Sequence, residues 1–187
     1  ADQFVADNHP ITKKNGWWNN MVGPNKPIDT NKFFVICSNV LGGCIGSTGP
    51  KEINSIKNSY FALDFPTITI KDMVAAQKLL IDNLQINKLF AVVGASMGAM
   101  QVLQWIIDFP KNIKNSIHIA GSLKHSAQNI AFHEVGRQAI MSDPNWCGGN
   151  YLAQKKIPER GLSVARMIAH ITYLSEKALQ QKFGRKL

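Results

Sequence analysis

Phe90-Ala91-Val92-Val93-Gly94-Ala95-Ser96-Met97-Gly98 is the stretch on which the reading of this chain turns. Phe90 to Val93 is an unbroken apolar run leading into small residues, the pattern of a strand buried on both faces. Beyond it, apolar residues recur at helical spacing from Met97 to Phe109, where Pro110 ends the pattern. The segment therefore predicts a buried strand, a tight turn at Ser96 and a helix, in that order.

Working outward, Ser116-Ile117-His118-Ile119-Ala120 reads as the next short strand. On the other side, Met73, Ala76, Leu80 and Leu84 within Asp72 to Leu84 mark an amphipathic helix. Earlier still, the run from Phe33 to Leu41 predicts another buried strand, ended by Gly42-Gly43, and the polar stretch from Gly46 to Ser59 links it onward. Strand, helix, strand, helix, strand is the alternation of an α/β fold with a parallel sheet and right-handed crossovers. Residues 1–31, with Pro10, Gly16, Gly23, Pro24 and Pro27 around Trp17-Trp18, read as an ordered loop. From Ser126 the pattern turns helical, over Ala127 to Ser142, Leu162 to Leu174 and Glu176 to Phe183, with no further strand. Residues 1–125 are thus expected to form part of an α/β core, and residues 126–187 a helical lid inserted in it.

The chain has 187 residues, 45% of them hydrophobic, enough for a globular core. No run approaches the roughly 18 apolar residues that cross a bilayer, and Asp2 and Asp7 ahead of Lys13 and Lys14 are not the order of a signal peptide, so a cytoplasmic protein with no membrane partner is expected. The net charge of +9 comes from scattered lysines and arginines without a basic stripe, which argues against nucleic acid. Cys37, Cys44 and Cys147 contain no Cys-x-x-Cys pair, so neither a disulfide framework nor structural zinc is expected; reduced, buried thiols are. The start at Ala1 and the finish on Gly184-Arg185-Lys186-Leu187 suggest cuts made in a longer protein.

Gly94-Ala95-Ser96-Met97-Gly98 is a Gly-x-Ser-x-Gly motif in the strand-to-helix setting that gives the motif meaning. A serine on such a turn projects its hydroxyl alone, and a glycine two residues to either side is expected to keep side chains out of the strand and helix packing. Met97 opens the helix, so its backbone N–H lacks an intrahelical partner and faces a developing oxyanion, aided by the helix dipole. The plainer alternative is an ordinary strand-to-helix turn of small residues. The motif in its setting resembles the nucleophile elbow of the α/β-hydrolase fold, with Ser96 as nucleophile.

A serine nucleophile needs a base, and in that fold acid and histidine follow it in the chain. His118 falls in a strand, His125 just beyond it, and His133 and His170 within helical patterns; none is in a loop after a late strand. Asp108 and Asp143 lack a strand-end setting too. The base and its orienting acid are not identified within the chain.

More specific segments extend the resemblance over essentially the whole sequence. They are Gly16-Trp17-Trp18, Met21-Val22-Gly23-Pro24, Phe34 to Cys44, Gly46-Ser47-Thr48-Gly49-Pro50, Thr69 to Val74, Ser126 to Phe132, Val135 to Ile140, Ala165-Arg166-Met167 and His170 to Ser175. With the elbow, they are similar to the homoserine O-acetyltransferase family, although Ala95 and Ala99 stand where that family commonly has glycine. The resemblance implies that Ser96 takes acetyl from acetyl-CoA and passes it to the L-homoserine hydroxyl in a ping-pong reaction serving methionine biosynthesis, without metal or redox cofactor. It implies that Arg137 grips the substrate carboxylate, for which a guanidinium offers two parallel hydrogen bonds. It also implies that the catalytic aspartate and histidine lie beyond the last residue and the second oxyanion amide before Ala1, so that the chain alone should be inactive. Strands missing from the sheet would leave apolar edges and poor solubility.

Members of this family are often dimers, so a homodimer is a further expectation. The alternatives are homoserine O-succinyl transfer, serine O-acyl transfer, a serine esterase, or a non-catalytic protein, either an inactive truncated pseudoenzyme or an interaction module.

Overall fold

The computed structural model describes residues 2–6 and 8–185; Ala1, Asp7, Lys186 and Leu187 lie outside the described residues. Two compact units divide the chain: one runs to Ile53 and then takes in Asp64–Gly121, the other combines Asn54–Leu63 with everything from Ser122 onward.

In the first unit, α1 (Ile70–Asn83) starts on a capping box, in which the Thr69 hydroxyl accepts the Asp72 N–H and the Asp72 carboxylate accepts the Thr69 N–H. Hydrogen bonds donated to it by the Thr69 hydroxyl, at 2.6 Å, and by the Thr69 N–H hold the Asp72 carboxyl below its ordinary range. The buried face of α1 is Val74 and Ile81 with Gln77 between them, one position away from the predicted stripe; Leu84 is exposed. The hydropathy pattern missed this register because Gln77 turns inward to meet hydrogen-bond partners that no periodicity reveals. Lys78 covers the Phe109 ring at 5.5 Å while its ammonium reaches Asp82.

The central pair is β5 (Leu89–Ala95) and β6 (Ile113–Ile119), parallel, with Leu89 opposite Ile113 and Ala95 opposite Ile119. Between them α2 (Met97–Asp108) crosses over one sheet face, and a 3₁₀ turn at Pro110–Asn112 feeds β6. Val74, Ile81 and Trp105 form the buried centre, and Ile36, Ile86, Leu89, Val92, Phe109 and Ile113 pack around it. Strand, crossover helix and parallel strand therefore stand as expected.

The predicted strand from Phe33 to Leu41 does not form a ladder. It stays beside the core through side chains, Ile36 on the central cluster and Phe33 against Phe90 at 4.8 Å, but among the described residues its backbone shares no strand register with a neighbour. An apolar extended run becomes a sheet strand only where an adjacent strand offers matching N–H and C=O groups. The described part of the first 31 residues, expected as loop, is mostly turns, with the two-residue strands β1 (Val22–Gly23) and β2 (Ile28–Asp29) paired to each other. Two more short strands, β3 (Ile53–Asn54) and β4 (Ser59–Tyr60), interrupt the polar stretch.

The second unit is helical. Long helices α3 (Ala127–Met141) and α4 (Glu159–Tyr173) pack closely at Gly161, which leaves no room for a side chain, while Gly136 faces Ala165 at ordinary contact distance. A Cβ on Gly161 would sit 2.5 Å from the Ala139 carbonyl oxygen, and one on Gly136 would touch Ala165 at 3.6 Å. Asp143, buried past the end of α3, accepts N–H groups from Asn145 at 2.8 Å and Gly161 at 2.9 Å, tying the connection to the first turn of α4. Helix α5 (Glu176–Phe183) follows, capped by Ser175. Leu63 lies where a Cβ on Gly149 would be, 2.5 Å from its Cγ, which is how the short 54–63 segment joins this unit. No helix among the described residues is long and apolar enough to cross a membrane.

Candidate active site

Strand β5 delivers Ser96 to the surface. Its φ of 56° and ψ of −118° fall in the left-handed half of backbone space, a conformation that costs a residue with a side chain about 1–3 kcal/mol. Three contacts hold it there. The Ser96 N–H donates to the Ile119 carbonyl at 3.0 Å, continuing the β5–β6 ladder past the last paired residues. The Ser96 carbonyl accepts the N–H groups of Ala99 at 3.0 Å and Met100 at 3.4 Å, opening the α2 ladder. Finally, strand and helix come so close that a Cβ on Gly94 would lie 2.2 Å from the Gly98 carbonyl oxygen.

This geometry leaves the functional groups unspent. A serine ahead of a helix usually caps it with its hydroxyl, but the Ser96 side chain makes no capping bond here. Ser96 and Met97 are both exposed. The Met97 and Gly98 amides precede the first N–H taken up by the Ser96 carbonyl, so they form the free positive end of α2. A hydroxyl beside an unused helix-terminal N–H is what addition to a carbonyl requires.

The two motif glycines do different work, which corrects the symmetric expectation. Gly94 is required by its approach to Gly98, whereas a Cβ on Gly98 would meet nothing within 4 Å. A third glycine that sequence reasoning missed is Gly121: a Cβ there would fall 2.4 Å from the methyl of Ala99 and 2.7 Å from the His118 ring. Ala99 is fully buried, so its methyl in place of glycine is accommodated by the bare Gly121 across the strand end. Ala120 between them carries a φ of 47°, a turn signal visible in hindsight as Ala120-Gly121 after an apolar run.

The histidines stay dispersed: His118 exposed on β6, His125 and His133 in ring contact at 5.4 Å around the start of α3, and His170 exposed in the last turn of α4. Asp108 accepts from Gln104 within α2, and Asp143 is occupied by backbone amides. Arg137 belongs to the second unit, exposed on α3, where its guanidinium pairs with Glu134 one turn earlier. Gln138 and Arg137 together hold the Glu134 carboxyl below its ordinary range. A concave surface of about 810 Å³ lies around Phe4, Val22, Lys26 and Phe33 and is not lined by Ser96, Met97 or Arg137. Of the cysteines, Cys37 and Cys147 are half-buried, while Cys44 is exposed, contrary to expectation; burial pushes the Cys37 thiol up. Among the described residues no group of three His, Cys, Asp or Glu is placed to hold a metal ion.

The sequence model of the alpha/beta hydrolase fold family matches residues 11–186, nearly the entire chain. The chain belongs to this family. Its Gly-x-Ser-x-Gly turn is accordingly the elbow of an α/β-hydrolase fold, and the parallel β5–β6 pair with α2 is part of that fold's core. The chain is also 63% identical, over all of its 187 residues, to a homoserine O-acetyltransferase of Rhodospirillum rubrum, covering 48% of that protein. Among solved structures it resembles a homoserine O-acetyltransferase from Bacillus anthracis, with a TM-score of 0.90 at 29% identity over 98% of this chain and 51% of the other. An acetylester hydrolase from Corynebacterium glutamicum is similar too, with a TM-score of 0.79 at 30% identity over 89% of this chain and 47% of the other. The chain thus spans about half the length of the curated relatives it matches.

Proposed function

We propose that this chain supplies the acyl-accepting part of a homoserine O-acetyltransferase. The observation that carries the proposal is Ser96, held strained and uncapped at the elbow, in a chain 63% identical throughout to an acetyltransferase of that name. In the first half-reaction the Ser96 Oγ adds to the thioester carbonyl of acetyl-CoA, and the Met97 N–H holds the oxyanion. Collapse breaks the carbon–sulfur bond, CoA leaves as the thiol with the serine's proton, and Ser96 keeps the acetyl group as an ester. In the second, the homoserine hydroxyl adds to that ester and O-acetyl-L-homoserine departs, restoring Ser96. The product would feed methionine synthesis in a cytoplasmic setting where acetyl-CoA is supplied.

Each proton transfer needs a base. We assign the base and its orienting acid to the part of the relatives' length that this chain does not span, because Asp108 and Asp143 are engaged within their own elements and the histidines are scattered. No metal or redox cofactor enters these steps. Helices α3 to α5 are assigned to a lid, with Arg137 exchanging Glu134 for the carboxylate of homoserine, one carboxylate replacing another on the same guanidinium.

The test uses the longer polypeptide to which we assign the activity, given acetyl-CoA. Thiol release that depends on homoserine, with acetyl recovered on Ser96 in its absence, is the expected result. Release into water at the same rate with or without homoserine would refute acetyl transfer and favour ester hydrolysis, the activity named for the Corynebacterium glutamicum structure. Ser96→Ala should abolish the acetyl-enzyme, and acetylation persisting at that site would refute the nucleophile's assignment.

A further inference from the structure

Helix α2 carries the Met97 amide at its first turn, and most of what holds α2 down is apolar: Ala99, Val102 and Trp105 are all at most 2% exposed. Such packing fixes distance well and rotation poorly, because it has no direction. Rotation matters at this helix. A turn of about 20° about its axis would move a backbone atom at the ~2.3 Å helix radius by about 0.8 Å, and misplacement on the order of 1 Å at a reacting centre can cost about a hundredfold in rate.

One side chain supplies direction. Gln77, on the inward face of α1, donates from Nε2 to Gln101 Oε1 at 2.6 Å and accepts at Oε1 from Trp105 Nε1 at 2.7 Å. Gln101 and Trp105 are one helical turn apart on α2, and both are buried, Gln101 at 6% exposed. The indole N–H can only donate, so it fixes which end of the Gln77 amide is oxygen. That in turn requires the Gln101 oxygen to face the Gln77 nitrogen. The arrangement is a two-point clamp with a single satisfied orientation, and directional polar contacts of this kind set register where apolar ones do not.

We propose that Gln77 is a positioning residue for Ser96, clamping two successive turns of α2 so that the Met97 amide is aimed at the oxyanion. This rests on the acyl-serine reading above. Gln77 touches neither substrate nor nucleophile; it acts through the helix. Its effect therefore falls on formation of the acetyl-enzyme and not on binding of homoserine.

The experiment measures first-turnover CoA release in the same longer polypeptide. Gln77→Met, similar in length but unable to make either bond, should slow acetylation of Ser96 about tenfold or more with the KM for homoserine unchanged. Gln77→Glu should recover the rate to within a few-fold, since its carboxylate accepts from Trp105 and the Gln101 amide can turn to donate. Val102→Ala, a cavity in the same buried helix face that leaves both hydrogen bonds in place, is the control for mere destabilisation. Parental acetylation by Gln77→Met, or equal slowing by Val102→Ala at a matched fall in Tm, would overturn the proposal. Should Gln77→Met not fold, Trp105→Phe removes one of the two bonds and keeps an aromatic ring; slowing of threefold or more is expected, and an unchanged rate overturns the clamp. Failure of the acyl-serine reading itself would look different: acetyl would still be found on the protein after Ser96→Ala.

Discussion

At the residue scale, the glycines around Ser96 separate what the fold needs from what the reaction needs. Gly94 has backbone against it, with the Gly98 oxygen 2.2 Å from where a Cβ would stand. Gly94→Ala should therefore cost about 1–3 kcal/mol as the strand and helix are forced apart, read as a lower midpoint in thermal or urea unfolding. Gly98→Ala meets open space within a helix, so stability should hold or rise by up to about 1 kcal/mol. If it slows acetylation regardless, the crowding comes from bound substrate or from polypeptide outside this chain. Arg137→Ala tests the other assigned residue: use of homoserine should weaken while the first acetylation is spared, because in the proposed order acetyl-CoA reacts before homoserine enters. Equal loss in both half-reactions would indicate structural damage instead.

At the scale of elements, the α3–α4 pair depends on a carboxylate. Asp143 accepts the N–H groups of Gly161 and Asn145, and those bonds hold its carboxyl below the ordinary value of 3.8. A carboxyl depressed on folding contributes stability that is complete above its unfolded pKa, about 3.9, and disappears as pH falls through the lower folded value. The helical unit should thus loosen on acidification below about pH 4. Asp143→Asn should lower Tm at neutral pH and flatten that acid dependence, measured by circular dichroism; an unchanged acid profile would show that other carboxylates govern it. The helix pattern announced α3, α4 and α5 to within a few residues, since residue spacing is a local signal. Nothing local announced that Asp143 would reach Gly161, 18 residues onward, or that Gln77 would turn inward.

At the scale of the whole chain, β6 is paired only with β5 among the described residues, and Ile117 is 48% exposed on it. An exposed strand edge with apolar side chains invites intermolecular pairing. The isolated chain should self-associate with rising concentration in light scattering, and Ile117→Lys should reduce that several-fold without lowering Tm; no change would place the sticky surface elsewhere. The sequence by itself determined the α/β class, the strand-turn-helix at Ser96, the crossover to β6 and the helical last third, because each rests on local spacing and turn chemistry. It misjudged Phe33 to Leu41, where apolarity was legible but the absence of a ladder partner was not. Tertiary structure alone decided that around Ser96 Gly94 and Gly121 are the constrained glycines, that Gly98 is not, and that Gln77 bonds two turns of α2. These are contacts between backbones and amides distant in sequence, fixed by how strand and helices meet and not by any period along the chain.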